Sequence, residues 1–226
     1  MGTLFIVATP IGNLKDMTFR AVETLKACDY ILCEDTRVSG KLLAHYQIAK
    51  PAISFNDFNE KTRTPKVIDD LKNSKNIALV SDAGTPLISD PGFHLVREAV
   101  RAGIRLESIP GPSAAIAALT LSGLPCDKFL FVGYLPKKEG RRRRLLETLD
   151  SIIKILPMTI ILYESPHRLL KTFADIQNVF GDIDIVICRE LTKLHQEIRR
   201  EKISQSIGHF LEIKPKGELT IVFNRS

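Results

Sequence analysis

The residues whose types and spacing can carry chemistry collect behind short apolar runs. The longest such group is Ser-Asp-Ala-Gly-Thr-Pro-Leu-Ile-Ser-Asp-Pro-Gly at positions 81–92, directly after the apolar run 77–80. In an open parallel sheet, ligands bind beyond the carboxyl ends of the strands, so a loop of small and polar residues there is placed to hold one. Asp82 can accept hydrogen bonds from a ribose or an amine, and the glycine at 84 lets a ligand approach the backbone. Capping does not account for a loop this long, so Asp82, Ala83, Gly84 and Thr85 are assigned to binding. Capping does account for the rest: Ser89 or Asp90 suits the N-cap of a following helix with Pro91 in its first turn.

Three further groups lie behind other apolar runs. Glu34, Asp35, Thr36 and Arg37 offer two acids, a hydroxyl and a guanidinium, which can position a substrate hydroxyl or hold a phosphate. The same residues suit a helix cap at Asp35 or Thr36 with a surface ion pair. Pro110, Gly111, Pro112 and Ser113 open an alanine-rich helix, whose small surface suits either a flat ligand ring or tight packing on a sheet. The turn Thr9, Pro10, Ile11, Gly12, Asn13, Leu14 sits where a nucleotide loop would be, yet it lacks GxGxxG, and no GxxxxGK[ST] occurs anywhere. A Rossmann dinucleotide and a P-loop nucleotide are therefore unsupported.

Charge is concentrated in one place. Lys137, Lys138, Arg141, Arg142, Arg143 and Arg144, with Glu139 among them, give net +5 in eight residues, against a formal +6 for the whole chain. A cluster of this kind releases counterions from a phosphate backbone and so favours nucleic acid, the competing reading being a solvated helix face. His167 has no histidine partner at i+4, and Cys28, Cys33, Cys126 and Cys188 show no CxxC spacing. Neither zinc nor a structural disulfide is expected, and no metal is assigned. By composition, residues 189–193 and 216–220 read as ordinary surface segments.

The elements that must position these groups follow from periodicity. Strands at 3–8, 30–33, 52–55, 77–81 and 104–109 alternate with helices at 19–26, 39–46, 61–72 and 93–102, the rhythm of an α/β domain with a mainly parallel sheet. Beyond 112 the rhythm changes. A helix at 113–122 precedes strands at 129–134, 159–163, 183–189 and 219–223 and helices at 142–155 and 166–180, which predicts a mixed or antiparallel α+β domain with one long hairpin. Residues 197–203 are too charged for periodicity to decide. The expected domains are 1–112 and 113–226. With 226 residues, 44% hydrophobic, the chain can bury roughly 70% of its unfolded surface and needs no covalent staple. No apolar run approaches the roughly 20 residues that cross a bilayer, and the N-terminus reads as a first strand, so a cytoplasmic location is expected.

Taken together, residues 8–14, 33–37, 81–92, 110–113, 163–168, 189–193 and 217–220 resemble the ribosomal RNA small subunit methyltransferase I branch of the tetrapyrrole methylase superfamily, in order and over essentially the whole chain. The resemblance implies S-adenosylmethionine-dependent methylation of the ribose 2′-hydroxyl of a cytidine in the decoding region of small-subunit (16S) ribosomal RNA. It also implies a two-domain α/β fold with the cofactor in the cleft between the domains, and a homodimer. Carried over residue by residue, Pro10, Ile11, Asp82, Ala83, Gly84, Thr85, Ser113 and Ala114 contact the cofactor from the first domain and its boundary. Tyr163, Arg189 and Gly217 approach it from the second. Two departures stand out. Thr9 and Pro10 replace the superfamily's usual glycines, and many members of the branch continue past the point matching Ser226 with a basic helical extension; if that extension grips RNA, either residues 137–144 carry more of the binding or this chain is shortened. Within this reading Asp35 is the candidate base and Arg37 the holder of a neighbouring phosphate. Two alternatives are a methyltransferase of the same superfamily acting on a tetrapyrrole or a protein, against which the arginine cluster argues, and a non-catalytic RNA-binding factor, which predicts no cofactor affinity.

Overall fold

The structure, a computed structural model, describes residues 1–225. The chain divides into two compact units, Met1–Ser113 and the remainder from Ala114. In the first, strands β1 (Thr3–Val7), β2 (Tyr30–Cys33), β3 (Ala52–Ser54), β4 (Ile77–Leu79) and β5 (Arg105–Ile109) are linked through helices α1 (Phe19–Ala27), α2 (Thr36–His45), α3 (Glu60–Lys72) and α4 (Phe93–Arg101). The strand order is β3-β2-β4-β1-β5 and every pairing is parallel. A parallel sheet carries helices on both faces, and neighbouring residues accordingly enter different cores: Ile31 packs with Val7, Leu25 and Ala78, whereas Leu32 packs with Leu4, Leu71 and Leu95.

The second unit comprises α5 (Ala114–Ser122), β6 (Phe129–Tyr134), α6 (Glu139–Ile155), β7 (Thr159–Glu164), α7 (Leu169–Phe180), β8 (Asp184–Arg189), β9 (Glu197–Lys202), α8 (Ile203–Glu212) and β10 (Leu219–Phe223). Its sheet runs β6-β7-β10-β8-β9, parallel only between β6 and β7. One core, built around Leu146, Leu162, Phe173, Phe210 and Phe223, fills it.

Several boundaries differ from the sequence reading for identifiable reasons. The undecided segment 197–203 is strand β9, hairpinned to β8, with Arg199 bonded to Glu201 at 2.8–2.9 Å along the strand. Helix α8, absent from the reading, follows at once, its buried Ile203, Ser206 and Phe210 recurring at helical spacing. Helix α4 starts after Gly92, and neither Ser89 nor Asp90 is its N-cap. Glu60 of α3 serves instead, accepting from the backbone N–H groups of His94 (2.9 Å) and Leu95 (3.2 Å). Helix α7 starts at Leu169 rather than Pro166, and α6 three residues earlier than 142. Among the described residues, no helix is long and apolar enough to cross a membrane.

Candidate functional site

The carboxyl edge of the first sheet is tied together by its loops. The chain leaving β1 pairs with the loop after β4: Thr9 N donates to Gly84 O (2.8 Å) and Gly84 N to Thr9 O (3.0 Å). The buried Thr9 hydroxyl donates to Ser81 O at 3.2 Å, a bond that a glycine at position 9 could not make. Gly84 has φ +83°, and a Cβ there would lie 3.3 Å from Ile11 Cγ2. Thr85 Oγ1 donates to Pro112 O at 3.0 Å, joining the loop after β5 to the same edge. Pro10, Ile11, Asp82, Ala83, Gly84, Thr85 and Ser113 are thereby gathered from three loops. Leu87 (φ 72°) and Ser89 (φ 68°) are also left-handed, an uncommon conformation for such side chains.

The fourth loop joins through its acids. Asp82 accepts from the backbone N–H of Asp35 at 3.1 Å. Burial, with a contribution from the charge of Asp35, pushes the Asp82 carboxyl above its ordinary range despite that bond. Asp35 caps α2, accepting from Arg37 N at 2.8 Å, and also takes Arg37 Nε at 3.0 and 3.1 Å and Nη2 at 2.5 Å. The Arg37 guanidinium holds the Asp35 carboxyl down to about 2. A cap with a surface ion pair is therefore what the structure shows, with Asp35 and Arg37 engaged with each other. Glu34 differs from its neighbour. It is half-buried, its carboxylate has no hydrogen-bond or ion-pair partner among the described residues, and burial followed by the charges of Asp82, Asp57 and Asp35 pushes it up.

These acids border a cavity of about 430 Å³, bounded by residues 34–37, Ser54, 56–58 and Asp82. Sequence reasoning missed the wall formed by 56–58. Its only signal was the run Asn56, Asp57, Phe58, Asn59 directly behind β3, on the same edge of the sheet.

In the second unit the residues carried over by resemblance each have a local partner. Tyr163 Oη accepts from Ala115 N (3.2 Å) in the first turn of α5, beside Ala114. Arg189 donates to Glu197 (2.7 Å) and to Lys216 O (3.4 Å). Gly217 has φ +83°, and a Cβ there would collide with the Glu190 carboxylate at 2.3 Å. Tyr163, Arg189 and Gly217 lie at one end of the sheet, because Leu219 pairs with both Glu164 and Arg189.

The basic cluster requires a correction. Arg142 is buried, 2.6 Å from Asp175 of α7, and it donates to the carbonyls of Pro136 (3.5 Å) and Lys137 (3.2 Å). The helical turn points it inward while Lys137, Lys138, Arg141, Arg143 and Arg144 stay exposed. A second guanidinium, Arg168, donates to Leu135 O (2.6 Å) and lies 3.5 Å from buried Glu164, which also binds the Thr172 hydroxyl at 2.5 Å. Two guanidiniums thus clamp the chain just ahead of the exposed cations.

A parallel α/β unit followed by a mixed unit, with loops tied at the first sheet's edge, is the architecture of a known class. The chain belongs to the family described as Tetrapyrrole (Corrin/Porphyrin) Methylases, whose family model matches residues 3–206. Within it the chain is 50% identical to the Ribosomal RNA small subunit methyltransferase I of Thermotoga maritima over 99% of both chains, and groups with proteins of that name. It is likewise 50% identical to the Synechocystis protein so named, covering 98% of this chain and 78% of that one. Among solved structures, diphthine synthase matches with TM-score 0.72 at 14% identity (99% of this chain, 90% of that one). Uroporphyrin-III-C-methyltransferase from Thermus thermophilus matches with TM-score 0.68 at 18% identity (99% and 94%). These two share the fold.

Proposed function

We propose that the protein methylates small-subunit ribosomal RNA, transferring the methyl group of S-adenosylmethionine to the ribose 2′-hydroxyl of a cytidine in the decoding region, as a cytoplasmic homodimer. The observation that carries this reading is the 50% identity, over 99% of both chains, to a protein named Ribosomal RNA small subunit methyltransferase I. The first unit's sheet edge fits the cofactor: Asp82 offers an acceptor for hydroxyl or amine, and Pro10, Ile11, Ala83, Gly84, Thr85 and Ser113 lie in the tied loops beside it. Ala114, Tyr163, Arg189 and Gly217 are assigned to the same ligand on the resemblance alone.

Bound S-adenosylmethionine supplies an electrophilic methyl group with its leaving group already in place. What remains for the chain is to orient the hydroxyl and take its proton. Orientation can supply up to roughly 7 to 11 kcal/mol, and a base about 100- to 10,000-fold. Of the acids on this edge, Asp35 is a weak base, held near 2 by Arg37, whereas Glu34 has no ion-pair partner among the described residues and is more basic than an ordinary glutamate. The proton therefore goes to Glu34, and the phosphate role falls to Lys137, Lys138, Arg141, Arg143 and Arg144, which are exposed to solvent where an RNA backbone can meet them. Transfer of labelled methyl from S-adenosylmethionine to small subunits from cells lacking the protein, with the nucleotide mapped, tests the reading. Label on a ribose in the decoding region is expected. RNA binding without transfer would leave only a binding factor.

A further inference from the structure

The cavity behind β2 and β3 has a wall that the cofactor and the proton acceptor leave unexplained. Phe58 is 98% exposed. Its turn is nonetheless rigidly built: Asn56 Oδ1 accepts from Phe58 N (3.2 Å), Asn59 Oδ1 from Asn56 N (2.9 Å), and Asn59 Nδ2 donates to Ser54 O (3.3 Å). An aromatic ring held in water on a fixed turn at a cavity mouth is a ready stacking surface for a flat ring. The polar groups in the wall are biased in one direction. Asn56 Nδ2 is engaged with Ser54 Oγ, and Arg37 with Asp35, whereas the carboxylates of Glu34 and Asp57 have no hydrogen-bond or ion-pair partner among the described residues. The cavity therefore offers acceptors, and four carboxylates against one guanidinium repel phosphate. Among the described residues no three His, Cys, Asp or Glu side chains are grouped to hold a metal ion.

We propose that this cavity receives one unstacked nucleobase bearing an exocyclic amine, stacked on Phe58 with the amine donating to Asp57, so that its ribose reaches Glu34 while the phosphates stay outside. The proposal rests on the RNA-methylating reading above. It assigns Phe58 and Asp57 to substrate selection, since a carboxylate accepts from the amine of cytosine or adenine but faces a carbonyl in uracil.

The test is photocrosslinking of the full chain to a short single-stranded RNA carrying one 5-iodocytidine, with peptide mapping, and a matched RNA carrying 5-iodouridine. Crosslinks to Phe58 are expected, about tenfold more with iodocytidine than with iodouridine. Asp57→Asn should abolish that preference while keeping the crosslink, and Phe58→Leu should lose the crosslink while calorimetric S-adenosylhomocysteine binding stays intact. Crosslinks confined to 137–144, or equal yields with both bases in the unaltered chain, overturn the proposal. Because crosslinking needs no methyl transfer, absent transfer with Phe58 crosslinked would count against the methylating reading and not against the cavity.

Discussion

The first sheet's edge and the chain preceding α6 use the same residue types in opposite ways. Arg142 of α6 and Arg168 at the start of α7 are each matched to a buried acid and to backbone carbonyls ahead of α6, so the charges are consumed in holding that chain. At the first sheet's edge, Glu34 lies half-buried without a hydrogen-bond or ion-pair partner among the described residues, and Asp82 accepts one backbone bond from Asp35, while both are pushed up by burial. Satisfied charges fix geometry; unsatisfied ones are available to a ligand. On the proposed reading, this contrast puts the chemistry in the first unit and leaves the second unit's exposed cations to hold RNA.

The largest effect expected is at the clamp. Asp175→Leu strands a buried guanidinium, at a cost of about 3–5 kcal/mol, or about 10 °C in calorimetric Tm. Adding Arg142→Met should restore most of that loss, because a well-packed apolar pair replaces a buried ion pair with little change. A double variant no more stable than Asp175→Leu would break the comparison on the second-unit side.

Next is Gly84→Ala. The left-handed backbone costs a β-carbon roughly 1–2 kcal/mol, and the methyl would press on Ile11 where the cofactor is assigned. S-adenosylhomocysteine affinity should fall about tenfold by calorimetry, about 1.4 kcal/mol; unchanged affinity would move the cofactor elsewhere. Replacing Lys138, Arg141 and Arg144 together by alanine should reduce the slope of log affinity for single-stranded RNA against log salt by about 2, with unfolding free energy within about 0.5 kcal/mol of wild type because the residues are exposed.

The smallest effect concerns Glu34. Its folded pKa lies above the unfolded value, so the fold binds the proton more tightly and loses stability as pH rises from the unfolded toward the folded value. Glu34→Gln should therefore raise Tm at pH 7 by about 1–2 °C, a gain that shrinks as the pH is lowered through the folded pKa. A Tm lowered at pH 7 would show that Glu34 is a structural residue.

Strands β2 and β4 were legible because wholly buried apolar runs announce themselves, and β2 matches residue for residue. What was not legible depends on partners distant in sequence. Arg142 is indistinguishable by type from Arg141 and Arg143; only Asp175, on another helix, separates it. The α4 cap came from Glu60, 34 residues before His94. Glu34 and Asp35 are adjacent acids, and the sequence alone does not show which one Arg37 neutralises.

The most direct test of the division of labour is single-turnover methyl transfer to small subunits as subunit concentration is raised, comparing Glu34→Gln with the Lys138, Arg141, Arg144 triple alanine variant. The account predicts that the Glu34→Gln loss, on the order of 100-fold or more, persists at saturation, while most of the triple variant's loss is recovered. A Glu34→Gln rate equal to wild type at saturation would contradict it.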